Sequence, residues 1–492
     1  MEITLKKAKN GELTALADNH YLHSNYNPSR EAERFINSLE IKYTPPLFIL
    51  IEPCISYIIP ILKKNYKNSK ILVIRFYDEF NEFNQNVDYL INYFEHINDF
   101  EEYLYNILGE ELLISSYIIP WPSSTTIFAN FTNVVNNKLL NLLQKSKTLL
   151  VTREFFEKKW FINTINFLKY TKNNIILTKK INKPVVIISS GPSLVTSLKI
   201  LKEKRASFFL ICLSSAIKPL LTRNIIPDLC FSTDGGFWAG EHLKILNKYN
   251  IPIAVTPESF IPKNILKRNK ILILGYSDGI SSEICKLLNI QYTPAERNGT
   301  VSGTALQFAL ENSTSDIYFC GLDLACQLGY QHIQPNELEV NNKIHDNKLK
   351  SLEKRSVISQ YSNNSLNIYR NWFVNLNLNN RKVYRIISNE YKQNQLGMIQ
   401  DIDSGIFNEK LQNYKPNNIV FSPSIQKINK EDLITIINNN LYTDYWKKSL
   451  FPLSYTALTH NPDNSDIINK LNKKMNSLLK QVEKILDVRF NL

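Results

Sequence analysis

The feature that most constrains the fold is a series of short, wholly apolar runs in the middle of the chain. The first reads Val185-Val186-Ile187-Ile188. The later runs have the same character and lie at residues 207–212, 229–232, 253–255, 271–274 and 317–320. Turn residues bound the runs and helical stretches separate most of them, which is typical of a parallel sheet with helices on both faces. The pattern predicts an α/β domain with a Rossmann-like, mostly parallel sheet.

The regions on either side of this core have different patterns, so a chain of 492 residues is expected to form three domains. Apolar runs at 47–51 and 71–74, with a helical stretch between them, predict a smaller parallel sheet. After about residue 401 the strand signals fade, and helices are expected at 430–440 and 464–488. The expected domains are an N-terminal α/β domain (1–180), a catalytic domain (181–395) and a mainly helical domain (396–492).

The turn after the first N-terminal run reads Glu52-Pro53-Cys54 and contains no glycine. A nucleotide site at such a turn normally needs glycine for the close approach of a phosphate. The N-terminal domain is therefore interpreted as a scaffold or an acceptor-recognition domain.

The net charge of +13, from 58 Lys and Arg against 45 Asp and Glu, allows three interpretations. Nucleic-acid binding is not expected, because no recognisable nucleic-acid motif is present. A basic rim for an anionic substrate is compatible with the charge. The total excess is best explained by a composition rich in Asn, Lys, Ile and Tyr.

The cysteines and the N-terminus indicate the compartment. The six cysteines form no C-x-x-C pair, and several lie in apolar runs, where a free thiol behaves as a small buried hydrophobe. The N-terminus has no apolar signal core, and the most apolar stretch, at 46–62, is interrupted by Glu52, Pro53 and Pro60. A cytoplasmic protein without a membrane span is expected.

The first candidate site is the turn Ser190-Gly191-Pro192-Ser193, which follows the run at 185–188. Gly191 permits close approach of a ligand, and Pro192 suits the first position of a helix because it has no N–H to lose. Free N–H groups at a helix start favour phosphate. A plain structural turn shows the same pattern, and the turn is neither a Walker A loop nor G-x-G-x-x-G.

Asp234 is the second candidate, because it follows the run at 229–232 and precedes two glycines. Ligands of open α/β sheets bind at this end of the strands. Asp234 could hold a ribose or sugar hydroxyl, bind a metal ion or cap the next helix. A metal is the weaker choice, because no second carboxylate forms a D-x-D pair.

The third candidate is the segment 298–306, which reads NGTVSGTAL and leads into a helix. Its N-terminus could direct a second helix dipole at a ligand. Close packing of a helix through small residues explains the same pattern equally well.

The fourth candidate combines Asp323, at the end of the run 317–320, with His332 in the following loop. A histidine there could take a proton from an attacking hydroxyl, although most loop histidines are only solvated. His345 is a second candidate for that role.

These four signals occur in the order GPSL, STD, GTVSGTAL and GLDL followed by histidine. The arrangement resembles the motility accessory factor (Maf) glycosyltransferases of flagellin, whose central domain is called MptE-like. Residues 21–32, YLHSNYNPSREA, are similar to that family's N-terminal HS-Y-P-EA signature. The resemblance implies a GT-A-like central domain similar to bacterial CMP-sialic acid transferases.

The resemblance also implies roles for the matched residues. Those implied to contact the CMP nucleotide are Gly191, Pro192, Ser193, Ser214, Ser215, Asp234, Ser302, Gly303 and Thr304. The implied catalytic residues are His332, which matches the histidine after the G-x-D strand in Maf proteins, and Asp323 beside the nucleotide pocket. Two segments depart from the family pattern: the turn at Glu52, and Ser388-Asn389-Glu390, where the family has Asn-Ala followed by glycines.

Three alternative functions are compatible with these sequence features. The first is an inverting transferase that moves a nonulosonic acid from its CMP donor to Ser or Thr of flagellin, with Arg297 suggested as a contact of the sugar carboxylate. This reaction requires no metal or cofactor. The second, suggested by the MptE-like name, is a pterin pyrophosphokinase that uses ATP and Mg²⁺. The third is a non-catalytic flagellin-binding or export-chaperone role.

Overall fold

The computed structural model describes residues 2–325, 329–354, 364–411, 421–424, 428–460 and 464–490. The chain folds as two compact units. The first comprises Met1–Glu157 and Leu441–Leu478, and the second comprises Lys158–Asn440 and Leu479–Leu492.

The strands of the first unit are β1 (Ile3–Lys7), β2 (Leu13–Ala17), β3 (His20–Tyr21), β4 (Leu47–Ile51), β5 (Lys70–Arg75), β6 (Tyr89–Asn92) and β7 (Ser116–Pro120). Those of the second unit are β8 (Asn174–Leu177), β9 (Val185–Ile188), β10 (Phe209–Leu213), β11 (Leu229–Ser232), β12 (Ile253–Val255), β13 (Ile271–Gly275), β14 (Thr293–Pro294), β15 (Ile317–Cys320), β16 (Val383–Ile386), β17 (Gln400–Ile402) and β18 (Phe421–Pro423).

The helices before the central sheet are α1 (Pro28–Ser38), α2 (Ile58–Asn65), α3 (Phe100–Ile114), α4 (Pro122–Ile127) and α5 (Ala129–Tyr170). Those that follow β9 are α6 (Leu198–Glu203), α7 (Ile217–Leu221), α8 (Phe237–Leu243), α9 (Lys263–Arg268), α10 (Gly279–Leu287), α11 (Val301–Asn312), α12 (Glu337–Ile344), α13 (Asn364–Val374), α14 (Ser404–Lys410), α15 (Lys430–Asn440), α16 (Asp444–Leu450), α17 (Pro452–His460) and α18 (Ser465–Leu486). No helix in the described ranges is long and apolar enough to cross a bilayer.

The core of the first unit is a parallel sheet in the order β6-β5-β4-β7. All five residues of β4 are buried, as its uninterrupted apolar sequence requires. β4 and β5 contain the apolar runs at 47–51 and 71–74, which are therefore confirmed as strands. β1, β2 and β3 form a separate antiparallel sheet.

The carboxyl end of β4 is filled by the protein's own carboxylate. Glu52 is fully buried and pairs with the fully buried Arg75 at 2.8 Å. The Glu52 carboxylate also accepts hydrogen bonds from the backbone N–H groups of Cys54 and Phe76, at 3.2 and 2.6 Å. A carboxylate thus takes the place at this turn that a phosphate takes in many nucleotide-binding sheets.

The segment that resembles the N-terminal signature packs on this edge of the first unit's sheet. His23 is 2% exposed, and its Nε2 accepts a hydrogen bond from the N–H of Ile55 at 3.1 Å. The indole of Trp121, which follows β7, donates to the carbonyl of Leu22 at 2.8 Å. The signature residues therefore cover the carboxyl edge of β4 and β7.

The second unit contains a long sheet whose order in the described residues is β17-β16-β15-β9-β10-β11-β12-β13-β8-β18, with β14 beside β13. Its pairings are parallel except that of β18 with β8. Every predicted apolar run of this region is a strand, so the α/β, mostly parallel fold class is confirmed. The helices expected at 430–440 and 464–488 are present as α15 and α18.

The sheet extends beyond the domain borders expected from the sequence. β8 precedes residue 181 but pairs with β13, while β17 and β18 follow residue 395 and pair with β16 and β8. β8 and β18 gain hydrogen-bond partners from strands distant in sequence, which a search for local composition changes does not detect.

The order of the strands creates a crevice beside β9. The chain runs outward from β9 through β10 to β13 on one side, whereas β15 to β17 lie on the other side. Such a reversal leaves a cleft at the carboxyl ends of the two strands that flank it, where open α/β sheets bind their ligands. The turns after β9 and β15 therefore face the same cleft.

Candidate functional site

The turn after β9 is tied by its backbone to the end of β15. The N–H of Ser189 donates to the carbonyl of Cys320 at 2.9 Å, and that of Gly191 donates to Gly321 at the same distance. Pro192 begins a short 3₁₀ helix, Pro192–Ser197, as expected for a residue without an N–H. The predicted phosphate turn thus lies in the cleft between β9 and β15.

Two glycines make this close approach possible. A Cβ on Gly191 would lie 2.5 Å from both Asp323 Oδ2 and the Gly321 carbonyl oxygen. Gly321 has φ +75°, and a Cβ there would lie 2.5 Å from the Ser189 carbonyl oxygen. Neither position has room for a side chain, so two of the chain's 14 glycines are required by this contact.

Asp323 stabilises the turn after β9 through hydrogen bonds to Ser193. It is 4% exposed, and its carboxylate accepts hydrogen bonds from both the N–H (3.1 Å) and the hydroxyl of Ser193. The amide of Gln393 also donates to Asp323, at 3.0 Å. With its oxygens engaged in this way, Asp323 is suited to hold the turn in place.

Gln393 connects Asp323 to the segment that begins at Ser388. The sequence did not predict Gln393 as a site residue. Its side-chain oxygen accepts a hydrogen bond from the N–H of Ser388 at 3.3 Å. Ser388 is the first residue of the segment that departs from the family pattern. Gln393 therefore lies in a part of the site for which the sequence contained no motif.

The N-terminus of α11 contacts the turn after β9 through the side chain of Ser302. The hydroxyls of Ser302 and Ser189 lie 3.3 Å apart. Thr300 caps the helix by accepting from the N–H of Gly303 at 2.8 Å. The positive end of the α11 dipole therefore lies next to the turn after β9.

Gly303 and Thr304, also predicted to line the pocket, are buried behind Ser302. A Cβ on Gly303 would lie 2.8 Å from Asn298 Oδ1 and 2.9 Å from the Trp372 ring, and Thr304 donates to the same Asn298 oxygen at 3.2 Å. Asn298 is 8% exposed, and its Nδ2 has no hydrogen-bond partner among the residues that the structure describes. Asn298 is the first residue of the candidate segment 298–306, but no individual role was predicted for it.

β10 contributes two serines to the same edge. Ser214 and Ser215 follow the strand directly, and Ser214 is buried. The hydroxyl of Ser215 donates to that of Ser190 at 2.9 Å. These two predicted residues therefore lie beside the turn after β9.

His332 lies over this edge and is held by a carboxylate. The N–H of Ile333 donates to the carbonyl of Ser190 at 2.8 Å, which fixes the loop to the turn. His332 Nδ1 lies 3.2 Å from Glu339 Oε1 on α12. The His332 side chain is 29% exposed and that of Glu339 is 1% exposed. Glu339 is a site residue that sequence analysis missed, because acidic residues are common in the first turn of any helix.

Two other candidates, Asp234 and His345, stand apart from this cluster. Asp234 is exposed at the end of β11, two strands from β9, and its Oδ1 accepts from the N–H of Gly236 at 2.8 Å. His345 is exposed at the end of α12.

Arg297, suggested as a contact of a sugar carboxylate, is already paired. Its guanidinium lies 2.7 Å from Glu258 and 2.9 Å from Asp278, and 4.3 Å from the ring centre of Tyr276. Burial lowers the pKa of Arg297, but the two carboxylates outweigh that effect and raise it. The side chain anchors the segment that precedes α11 and has no unmatched charge to offer a ligand.

The described residues contain no cluster of three or more His, Cys, Asp or Glu that could hold a metal ion. Five cysteines, including Cys212, Cys230 and Cys320 of the apolar runs, are buried free thiols, as predicted. Burial raises the pKa of Cys230 and of Cys320 to about 12. Cys326 lies outside the described residues.

Residues 158–329, which carry β8 to β15, match the family described as "6-hydroxymethylpterin diphosphokinase MptE-like". Residues 158–329 are called the MptE-like region below, after the family that they match. The match confirms that part of the predicted resemblance, and the MptE-like region includes every implied nucleotide contact.

Two further similarities extend over more of the chain. An uncharacterized protein of Treponema pallidum (strain Nichols) is 28% identical over 277 residues, which are 56% of this chain and 60% of that relative. The structure of the MAf glycosyltransferase from Magnetospirillum magneticum AMB-1 covers 99% of this chain and 89% of its own, with a TM-score of 0.53 and 12% identity. The MptE-like region and this shared fold confirm the predicted resemblance to Maf proteins at the level of fold.

Proposed function

We propose that the chain is an inverting protein O-glycosyltransferase. The donor is a CMP-activated nonulosonic acid of the pseudaminic or legionaminic type, and the acceptor is a Ser or Thr hydroxyl of flagellin, whose glycosylation is needed for flagellum assembly and motility. The observation that carries the proposal is the meeting of the Gly191 turn, the α11 start and His332 at the carboxyl edge beside β9. The MptE-like region and the fold shared with a Maf glycosyltransferase support it.

The phosphate of the donor fits the Ser189–Ser302 side of the cleft. Free N–H groups and the dipole at the start of α11 favour negative charge there, and the hydroxyls of Ser190 and Ser302 can donate to phosphate oxygens. These groups are held before the donor arrives, so they stabilise the charge that develops on the departing CMP without reorganising.

The transfer step needs one base. His332 takes the proton of the acceptor hydroxyl, whose oxygen attacks the anomeric carbon of the donor sugar. The bond from that carbon to the phosphate oxygen breaks, and CMP leaves with the electron pair. Attack opposite the leaving group inverts the anomeric centre, and the proton on His332 passes to solvent. In this scheme Asp323 acts only by holding Ser193 and the turn.

A ligand screen and a transfer assay test the proposal together. The full chain is heated with CMP, with a CMP-nonulosonic acid, and with ATP and Mg²⁺, and a nucleotide that binds the folded state raises Tm. Purified unglycosylated flagellin is then incubated with the enzyme and the donor, and its intact mass is measured. Stabilisation by CMP and addition of one or more sugar masses are expected. Stabilisation by ATP alone, or an unchanged flagellin mass despite CMP binding, would overturn the proposed donor or acceptor.

One alternative follows from the family that residues 158–329 match. A pyrophosphokinase acting on a pterin-type substrate would use ATP and Mg²⁺. It predicts stabilisation by ATP with Mg²⁺ and transfer of diphosphate from ATP to a pterin hydroxyl, with release of AMP and no change in flagellin. A non-catalytic flagellin-binding role predicts flagellin capture with no nucleotide-dependent mass change.

A further inference from the structure

One carboxylate oxygen of Glu339 contacts the loop that contains His332 at three nitrogen atoms. Oε1 accepts hydrogen bonds from the N–H of Gln331 at 2.8 Å and from the N–H of His332 at 3.1 Å. The same oxygen lies 3.2 Å from His332 Nδ1. Because the Glu339 side chain is 1% exposed, its carboxylate relies on donors within the protein, these among them, rather than on bulk water.

This contact selects the form of the imidazole. A neutral imidazole carries one N–H, and an ionised carboxylate can only accept. With Glu339 ionised, the proton of neutral His332 lies on Nδ1, which leaves the lone pair on Nε2. A base that removes a proton from a hydroxyl needs such a lone pair.

The helix that carries Glu339 is itself fixed to the cleft. The Asn336 side-chain oxygen caps α12 by accepting from the N–H of Leu338 at 3.0 Å, and its Nδ2 donates to the carbonyl of Ser215 at 3.0 Å. Asn336 is fully buried. The distance between the Glu339 carboxylate and the serines after β9 and β10 is thus set by a chain of hydrogen bonds.

We propose that Glu339 is a positioning residue of the transfer reaction, which holds His332 with Nε2 as the basic nitrogen and stabilises the imidazolium formed when the acceptor hydroxyl loses its proton. The inference rests on the proposed function, because it takes His332 as the base. It adds a residue that no motif indicated and that lies outside the matched region at 158–329.

The same helix offers a matched control. Glu337 lies two residues before Glu339 on α12. It also pairs with a histidine, at 2.8 Å from His242 Nδ1, and with Lys218 at 3.0 Å. Glu339→Gln and Glu337→Gln therefore each remove a carboxylate that pairs with a histidine from the first turns of α12. Only Glu339→Gln removes the partner of His332.

The first experiment compares transfer kinetics of the two variants across pH. Glu339→Gln is expected to lower kcat about 10- to 100-fold with KM for the donor unchanged, because the imidazolium loses its counter-charge. The acid limb of its pH–rate profile should move to lower pH, since protonated His332 is less stable beside a neutral amide. Glu337→Gln should keep both kcat and the limb. An equal loss at every pH, or an equal effect of Glu337→Gln, would overturn the positioning role.

A second measurement does not depend on turnover. With the histidines labelled with ¹⁵N, the ring signals of His332 are assigned by their loss in His332→Ala. The proton is expected on Nδ1 in the wild-type chain, and Glu339→Gln should change the ratio of the two tautomers. A proton on Nε2 in the wild type overturns the inference even if transfer is observed. The expected tautomer without any transfer by the wild type instead contradicts the proposed function.

Discussion

Ser193 donates two hydrogen bonds to Asp323, one from its backbone and one from its hydroxyl, across 130 residues of sequence. The pair joins the turn after β9 to the end of β15, on opposite sides of the cleft beside β9. The conformation of the turn is therefore set by a residue of the neighbouring strand, and the exposure of its remaining N–H groups to a ligand depends on that residue.

Asp323→Asn is expected to weaken the turn and the binding of CMP together. The substituted amide can accept at one atom only, so one of the donors of Ser193 or Gln393 loses its acceptor, at a cost of about 1–3 kcal/mol. Tm should fall and the Kd for CMP, measured by calorimetry, should rise. Asp403→Asn is the control, because Asp403 caps α14 and Asn is an equally good cap. A loss of kcat with unchanged Kd would instead support a direct catalytic role for Asp323.

Gly191→Ala tests the close approach of the two turns. The new Cβ would lie 2.5 Å from both an Asp323 oxygen and the Gly321 carbonyl oxygen, so the backbone must move apart. We expect CMP binding at least about tenfold weaker, equivalent to about 1.4 kcal/mol. Gly405→Ala is the matched control, since its Cβ would meet only the flexible Asp403 carboxylate, at 3.0 Å. Equal CMP affinity in Gly191→Ala and the wild type would show that the turn does not shape the site.

The sheet of the second unit could be predicted because its strands are apolar throughout. Val185–Ile188 and Ile317–Cys320 are buried on both faces, so local composition alone identifies them. The pairing of β8 with β13 could not be found in the same way. It depends on which strands become neighbours after folding, and Asn174–Leu177 lies almost 100 residues before its partner.

The residues of the candidate site also fall into those that local sequence indicates and those that only the folded structure brings together. Gly191, Pro192 and Ser302 lie in short motifs whose geometry is local, so the sequence indicates them. The residues that fix this geometry are distant in sequence. Asp323, which follows β15, accepts from Ser193, and Gln393, which follows β16, donates to Asp323. The cap at Asn336, with an acidic residue three positions later, was the one local signal that could have drawn attention to Glu339.

His332→Ala and His345→Ala separate the two candidate bases. The His332 loop is bonded to Ser190 in the cleft, whereas His345 is exposed at the end of α12. His332→Ala should lower kcat by about 10²–10⁴-fold with CMP affinity retained, because the base does not touch the nucleotide. His345→Ala should transfer sugar at the wild-type rate. The opposite pattern in the intact-mass assay would move the base to His345.

Folding of the first unit should depend on pH through His23. Burial, opposed by Glu31 and reinforced by Arg75, lowers the pKa of His23 from 6.5. The unfolded chain therefore binds a proton that the folded chain resists, so stability is full above pH 6.5 and falls as the pH drops below it, by at most about 1.4 kcal/mol per pH unit. His23→Gln, which can still accept from Ile55, should flatten this part of the profile in urea unfolding of the full chain between pH 7 and 5. His20→Gln, at an exposed position of the same unit, should keep the wild-type slope. If both variants keep the wild-type slope, His23 titrates alike in the folded and unfolded chains and its burial has no effect on stability.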